Sequence, residues 1–242
     1  MTYCVALRLD SGMIFASDSR TNAGVDHIAT FCKMRVYEKP GDRVIVLLSS
    51  GNLAITQGVI NILDRHQKAP LGEDTIWSVS SMFDVAALAG DALREMQQRD
   101  GKMLMQSGIE ATANIIVGGQ IAGEDERLFH IYSQGNFIEA SDETPYFQLG
   151  EAKYGKPILD LAVAPGATIE DATKCVLVSF DSTMRSNLSV GMPIDLLCYR
   201  RDSLCVQMRK RFDTGDAYFE TIKQQWLAAT RRVFHDLPAL QW

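Results

Sequence analysis

Thr2 follows directly on the initiator methionine, in the run Met1-Thr2-Tyr3-Cys4-Val5-Ala6-Leu7. Methionine before a small residue is the usual substrate for methionine removal, which would leave Thr2 with a free α-amino group. Such a residue carries nucleophile and base together: its hydroxyl can attack a carbonyl, and its own amine can take the proton. The α-amino pKa is about 7.7–8.0, so a good fraction of the amine is an unprotonated base near pH 7. Threonine is also a common second residue, and the dipeptide alone decides nothing. Other reactive types form no pattern. Cys4, Cys32, Cys175, Cys198 and Cys205 are odd in number, have no CxxC spacing, and read as reduced, mostly buried thiols rather than a disulfide or zinc framework. His27, His66, His130 and His235 are scattered and make no metal motif. No metal or cofactor is expected. The chain lacks a Gly-Lys-Ser/Thr phosphate loop, so any ATP dependence would come from a partner.

The elements that must position Thr2 follow from hydrophobic period. Tyr3, Val5, Leu7 and Leu9 alternate with Cys4, Ala6 and Arg8, as in a strand with two partly buried faces. Asp10-Ser11-Gly12 closes a hairpin onto Met13–Ala16, which runs into Ser17-Asp18-Ser19-Arg20. Thr21 to Ala29 reads as a polar loop, Phe31 to Tyr37 as a third strand containing Lys33, Pro40-Gly41-Asp42 as a turn, and Val44 to Leu48 as a central strand. Ser49-Ser50-Gly51-Asn52 then switches the period. Ile55, Val59, Ile62, Leu63 and His66 have helical spacing, with Asn52 as N-cap and Pro70 and Gly72 as breakers. A second helix is expected from Phe83 to Arg99, ended by Gly101.

Strands return at Asn114–Gly118, Arg127–Tyr132 and Asn136–Ala140, with Gly135 in a turn. A helical pattern follows Gly150 and Gly155 through Ile158, Leu159 and Leu161, and Pro165-Gly166 punctuates it. Thr168-Ile169-Glu170-Asp171 is a capping signal before Ala172, Val176, Leu177 and Phe180. Strands Ile194–Tyr199 and Ser203–Gln207 precede a last helix, about Asp216 to Phe234. Two antiparallel sheets need covered faces, and two helix pairs supply two covers. The expected class is α+β, a four-layer αββα sandwich, with residues 1–242 as a single domain.

Composition bounds the function classes. The chain has 242 residues and a net charge of −6, so nucleic acid and anionic membranes are poor partners. No apolar run approaches the ~18 residues of a membrane span. No signal peptide is visible, so a cytoplasmic protein is expected. Arg200, Arg201, Arg209, Lys210 and Arg211 form a basic segment, read as solvated charge or a subunit contact. Trp226 and Trp242 read as core or interface aromatics.

The ordered set of motifs carries a resemblance. Thr2 opening the first strand, Ser17-Asp18-Ser19-Arg20 closing the second, Lys33 in the third and Ser49-Ser50-Gly51 before the first helix resemble the proteasome β-subunit family of N-terminal-nucleophile hydrolases. Val117-Gly118-Gly119, Ser133-Gln134-Gly135 and Leu149-Gly150 match its later glycine turns, and Ser189-Val190-Gly191 matches its Ser-Gly-Gly segment. The Met-Thr-Tyr-Cys start and Phe-Ala-Ser-Asp-Ser-Arg-Thr-Asn-Ala-Gly look most like the Anbu branch of bacterial homologues; the bacterial peptidase HslV is a more distant relative.

The resemblance implies roles. Thr2 would be the nucleophile. Lys33 would repel a proton from the threonine amine and acidify the hydroxyl. Asp18 would pair with Lys33 and keep it oriented, and Arg20 would support that strand end. The Gly51 N–H would point into an oxyanion hole at a helix entry. Ser189 would hydrogen-bond the amine. Taken singly, Asp18 with Arg20 could be a plain ion pair, Lys33 a sheet-edge lysine and Gly51 a turn glycine. The chain also departs from the family pattern. Ser186 stands where an aspartate is usual, with Asn187 next to it able to compensate, and Glu151 replaces a serine.

The leading expectation is a threonine peptidase acting on peptide or unfolded polypeptide through an acyl-enzyme on Thr2. It would self-assemble into rings or ring-like stacks, with any unfoldase unknown. Only Met1 precedes Thr2, so activation would need a methionine aminopeptidase. The alternatives are an amidase or acyl transferase of the same fold acting on a small amide, and a non-catalytic assembly subunit that keeps Met1.

Overall fold

The computed structural model of the chain describes residues 2–22, 28–65, 74–162 and 166–242. The readings placed on Met1, His27, His66, Pro70, Gly72 and Pro165 lie outside the described residues. In chain order the elements are β1 (Tyr3–Leu9), β2 (Gly12–Asp18), β3 (Arg20–Asn22), β4 (Ile28–Thr30), β5 (Met34–Lys39), β6 (Arg43–Gly51), α1 (Leu53–Arg65), α2 (Met82–Gln106), β7 (Ala113–Ile121), β8 (Arg127–Ile131), β9 (Phe137–Glu139), β10 (Tyr146–Gly150), α3 (Lys156–Ala162), α4 (Ile169–Ser186), β11 (Ile194–Arg200), β12 (Met208–Phe212) and α5 (Ala217–Asp236).

Alternation along β1 decides which layer each side chain enters. Tyr3, Val5, Leu7 and Leu9 pack under the helices α3, α4 and α5, with Val176, Leu177, Phe180 and Phe219. Cys4 and Ala6 point the other way, toward the second sheet. β6 repeats the logic: Ile45 and Leu47 meet α1 and α2, while Val44, Val46 and Leu48 meet Phe15, Phe147 and Leu197 between the sheets. Both sheets therefore carry apolar side chains on both faces, and only a helix–sheet–sheet–helix stack buries them all. Each fully buried large apolar side chain contributes roughly 1.5–3 kcal/mol. One sheet has the order β10-β1-β2-β11-β12 and the other β5-β6-β7-β8-β9, with antiparallel pairing throughout. This is the αββα, α+β architecture expected from the sequence. No helix of the described residues is long and apolar enough to cross a membrane.

The structure corrects five local expectations. Part of the Thr21–Ala29 loop pairs as the ribbon β3–β4. The third strand begins at Met34, so Phe31, Cys32 and Lys33 form its approach. Gly101 does not end α2. It is buried within the helix, and the roughly 1 kcal/mol that glycine costs there is too little to stop a run continuing into Lys102–Gln106. Tyr146–Gly150, not expected as a strand, becomes β10 against β1. The last strand is Met208–Phe212 rather than Ser203–Gln207, because Asp202 and Leu204 take positive φ (60° and 43°), which a strand cannot. At the C-terminal end, Trp226 (37% exposed) and Trp242 (107%) are not core residues, and Phe219 is the buried anchor of α5.

Candidate active site

Thr2 precedes β1 and is buried to 9% exposure. Its carbonyl accepts a hydrogen bond from the Glu151 N–H at 2.7 Å. Gly150 makes that approach possible: it has φ +80°, and a Cβ there would lie 1.8 Å from the Thr2 oxygen. The head of the chain is thus docked against the end of β10.

Asp18 ends β2 and is fully buried. Its Oδ1 accepts from the Tyr3 N–H at 3.0 Å and from Lys33 Nζ at 2.6 Å. Lys33 Nζ also donates to the Arg20 carbonyl at 2.7 Å, and the Lys33 carbonyl accepts from the Ser49 N–H at 3.0 Å. The Lys33 ammonium therefore ties the end of β2 to the start of β3, and the Lys33 backbone carbonyl joins them to the stretch before Gly51. Burial raises the Asp18 carboxyl above the ordinary carboxylate value. The Lys33 ammonium and the backbone N–H groups of Tyr3 and Gly191 pull it back. Asp18 pairs with Lys33, not with Arg20.

Arg20 serves the α4–β11 connection instead. Its Nη1 donates to the Leu188 carbonyl at 2.9 Å, and its guanidinium covers Gly191, where a Cβ would sit 2.4 Å from Cζ. Gly51 stands at the end of β6 with φ +104°, and a Cβ there would lie 2.3 Å from the Thr112 carbonyl oxygen. Strand packing alone thus demands glycine at this position. α1 starts beyond Asn52, whose Oδ1 caps the N–H groups of Ala54 (3.0 Å) and Ile55 (3.3 Å).

Thr2, Lys33 and Gly51 line one cleft of about 550 Å³. Buried Leu47 and Ile115 form its floor, and exposed Arg35 and Arg209 reach its rim. Cys32 lines it too. Burial above all pushes its thiol up, which keeps it protonated and no competing thiolate.

The remaining predicted residues stand at the α4–β11 connection. Ser186, the last residue of α4, is exposed. Asn187 caps that helix, donates from Nδ2 to Glu151 Oε2 at 3.0 Å, and accepts the Ser189 N–H on Oδ1 at 2.9 Å. Among the described residues, no hydrogen bond joins Ser189 to Thr2; the recorded tie of Ser189 is that backbone bond to Asn187. Sequence reasoning missed the Asn187–Glu151 bond, although it singled out both residues. It also missed Asp195, which is 5% exposed and gathers Ser19 Oγ (2.8 Å), Arg211 Nη1 (3.1 Å) and Cys32 Sγ (3.5 Å) behind the cleft. Its one sequence signal was a carboxylate inside an apolar strand.

No protein-family model and no curated protein matches the chain. Solved structures do. Anbu (ancestral β-subunit) from Yersinia bercovieri is 46% identical with a TM-score of 0.94, over 100% of this chain and 99% of that one. The helical assembly of the Anbu complex from Pseudomonas aeruginosa gives 48% identity and 0.94, over 99% and 98%. Anbu from Hyphomicrobium sp. strain MC1 gives 46% and 0.90, over the full length of both chains.

Proposed function

The chain belongs to the Anbu family of bacterial proteasome β-subunit homologues, and we propose that it is a threonine peptidase whose nucleophile is Thr2, freed by removal of Met1. The observation that carries this reading is the meeting of Thr2 and Lys33 at one cleft, with the buried Asp18 carboxylate behind them bridging the Tyr3 amide and the Lys33 ammonium. In the proposed reaction the Thr2 Oγ attacks the amide carbonyl carbon while the Thr2 α-amine takes the hydroxyl proton. The carbonyl oxygen becomes an oxyanion facing the Gly51 N–H. Collapse expels the amine, which leaves with the proton, and forms an acyl ester on Thr2. Water, deprotonated by the same amine, hydrolyses that ester and restores the hydroxyl. Lys33, fixed by Asp18 and the Arg20 carbonyl, supplies positive charge beside the reacting groups throughout.

We further propose that residues 1–242 act as one N-terminal-nucleophile domain, in the cytoplasm, within a self-assembled oligomer that admits peptides or unfolded chains. The helical assembly of the Pseudomonas relative supports self-association. The unmade Ser189–Thr2 bond favours the alternative of a non-catalytic assembly subunit. Intact mass with and without an epoxyketone inhibitor decides between them. Loss of Met1 plus a covalent adduct, absent in Thr2→Ala, supports the peptidase. Retained Met1 with no adduct overturns it in favour of the assembly subunit.

A further inference from the structure

The cleft beside Thr2 has a charge pattern that the chain as a whole does not share. The protein carries a net charge of −6, yet among the described residues no aspartate or glutamate lines this cleft, while Lys33, Arg35 and Arg209 do. Two of these cations are committed. Lys33 is held by Asp18 at 2.6 Å. Arg35 is held by Asp64 at 2.8 Å and lies over the Tyr37 ring, 5.3 Å from its centroid. Arg209 differs. Its neighbours on β12 are paired, Lys210 with Asp216 at 3.2 Å and Arg211 with Asp195 at 3.1 Å, but Arg209 has no carboxylate partner among the described residues. It stands at the rim of a cleft whose lining includes the apolar Val36, Leu53 and Ile60.

From this arrangement we infer that Arg209 makes the cleft select a substrate whose acyl-side residue has an apolar stem and a carboxylate head, a glutamyl amide rather than a neutral or basic one. The inference deepens the threonine-peptidase reading and rests on it. The acyl group is the part that becomes bonded to Thr2, so the side chain of that residue is the one held beside Thr2 in the cleft. Methylene groups of a glutamyl side chain pack on the half-buried apolar residues of the lining, Val36, Leu53 and Ile60, and the head reaches the guanidinium. Arginine suits this task because its planar fork matches a carboxylate with two parallel N–H donors. At the rim the pair keeps part of its hydration. The gain is that of one charged hydrogen-bonded contact, about tenfold in rate, and screened by salt.

The test measures kcat/KM of the full-length protein on three fluorogenic peptide amides that differ only in the acyl-side residue: Glu, its neutral isostere Gln, and Lys. Binding of the same peptides to Thr2→Ala is measured by calorimetry in parallel. Glu is expected to exceed Gln by about tenfold, a ratio that collapses toward unity in Arg209→Gln and turns to favour Lys in Arg209→Glu. Cleavage of all three at equal rates, or a preference that survives Arg209→Gln, overturns the inference and leaves the peptidase standing. If nothing is cleaved, the peptidase reading fails, and calorimetry still decides on Arg209. A Glu preference in binding that depends on Arg209 supports anion selection, and equal binding of the three overturns it.

Discussion

The two ends of the sandwich both bury polar side chains, and they use them differently. At the end away from Thr2, Gln120 on β7 and Tyr199 on β11 are 3% and 0% exposed. The Tyr199 hydroxyl donates to Gln120 Oε1 at 2.5 Å, and the Asp202 N–H donates to the same oxygen at 2.9 Å. Gln120 Nε2 donates to Asp202 Oδ1 at 2.7 Å and to the Glu124 carbonyl at 2.8 Å. The Gln120 amide is fully engaged, and the cluster closes on itself. At the Thr2 end a buried ion pair meets an open cleft, and the Thr2 hydroxyl makes no hydrogen bond among the described residues. A polar cluster that uses its own groups on one another specifies how the sheets stack. One that leaves a threonine hydroxyl without a partner at a cleft beside a fixed charge is what the proposed reaction needs.

The sharpest way to break this contrast is Lys33→Ala. It leaves the fully buried Asp18 carboxylate without its counter-charge, so unfolding free energy should fall by about 3–5 kcal/mol and epoxyketone labelling of Thr2 should vanish. Asp18→Asn with Lys33→Met removes both charges. It should recover most of the stability in urea denaturation and none of the labelling. A Lys33→Ala protein that labels like the wild type would make the pair purely structural.

Titrating the same pair should separate activity from stability. The folded-state value of Asp18 is raised by burial, so as pH falls the folded chain takes up this proton before the unfolded chain does. Protonation releases Lys33, and labelling should fall away on the acid side at a higher pH than an ordinary carboxylate would give. In that window the folded state binds more protons, so the contribution of Asp18 to stability rises rather than falls as pH drops. Labelling rates and denaturation curves over the same pH series should therefore move in opposite directions for this group. Asp18→Asn, which holds this position uncharged, should label slowly at every pH and show no such acid-side step.

Much of the site was legible because its residues sit where the period changes. Thr2, Asp18 and Gly51 mark the start or end of strands, and the strand-to-helix switch after Ser50 needs only local pattern. Lys33 was legible by type and misplaced by one element, because the Phe31–Lys33 approach shares the alternation of β5. Residues held by distant partners were not legible. β10 pairs with β1 where Gly150 fits against the Thr2 carbonyl, a contact between neighbouring strands that lie far apart in the chain. β12 is a charged edge strand, and its Arg209-Lys210-Arg211 run reads as surface until its neighbours are known. The Asn187–Glu151 bond joins a helix cap to a strand end, and neither segment alone announces the other.

The closed end should respond in the opposite sense. Gln120→Ala strands the Tyr199 hydroxyl and the Asp202 N–H, and should lower unfolding free energy by about 2–3 kcal/mol. Labelling per folded chain should stay as in the wild type. A loss of labelling in fully folded Gln120→Ala would mean that the two ends are coupled through the sheets and that the division of labour is wrong.

The smallest expected effect tests how the departures at Ser186 and Glu151 are accommodated. Asn187 bonds Glu151 through Nδ2 and the Ser189 N–H through Oδ1, while the Glu151 N–H holds the Thr2 carbonyl. Asn187 is therefore one side chain removed from Thr2. Asn187→Ala should cost about 1 kcal/mol of stability and slow labelling about fivefold, because Thr2 keeps its backbone bond but loses the brace behind it. Asn187→Asp should slow it further, since a carboxylate would then face Glu151. Ser186→Asp restores the residue type usual at that position. If Asn187 has taken over the bracing, this change should leave the labelling rate where it was; if Ser186→Asp accelerates labelling, the Asn187–Glu151 bond is only a helix cap.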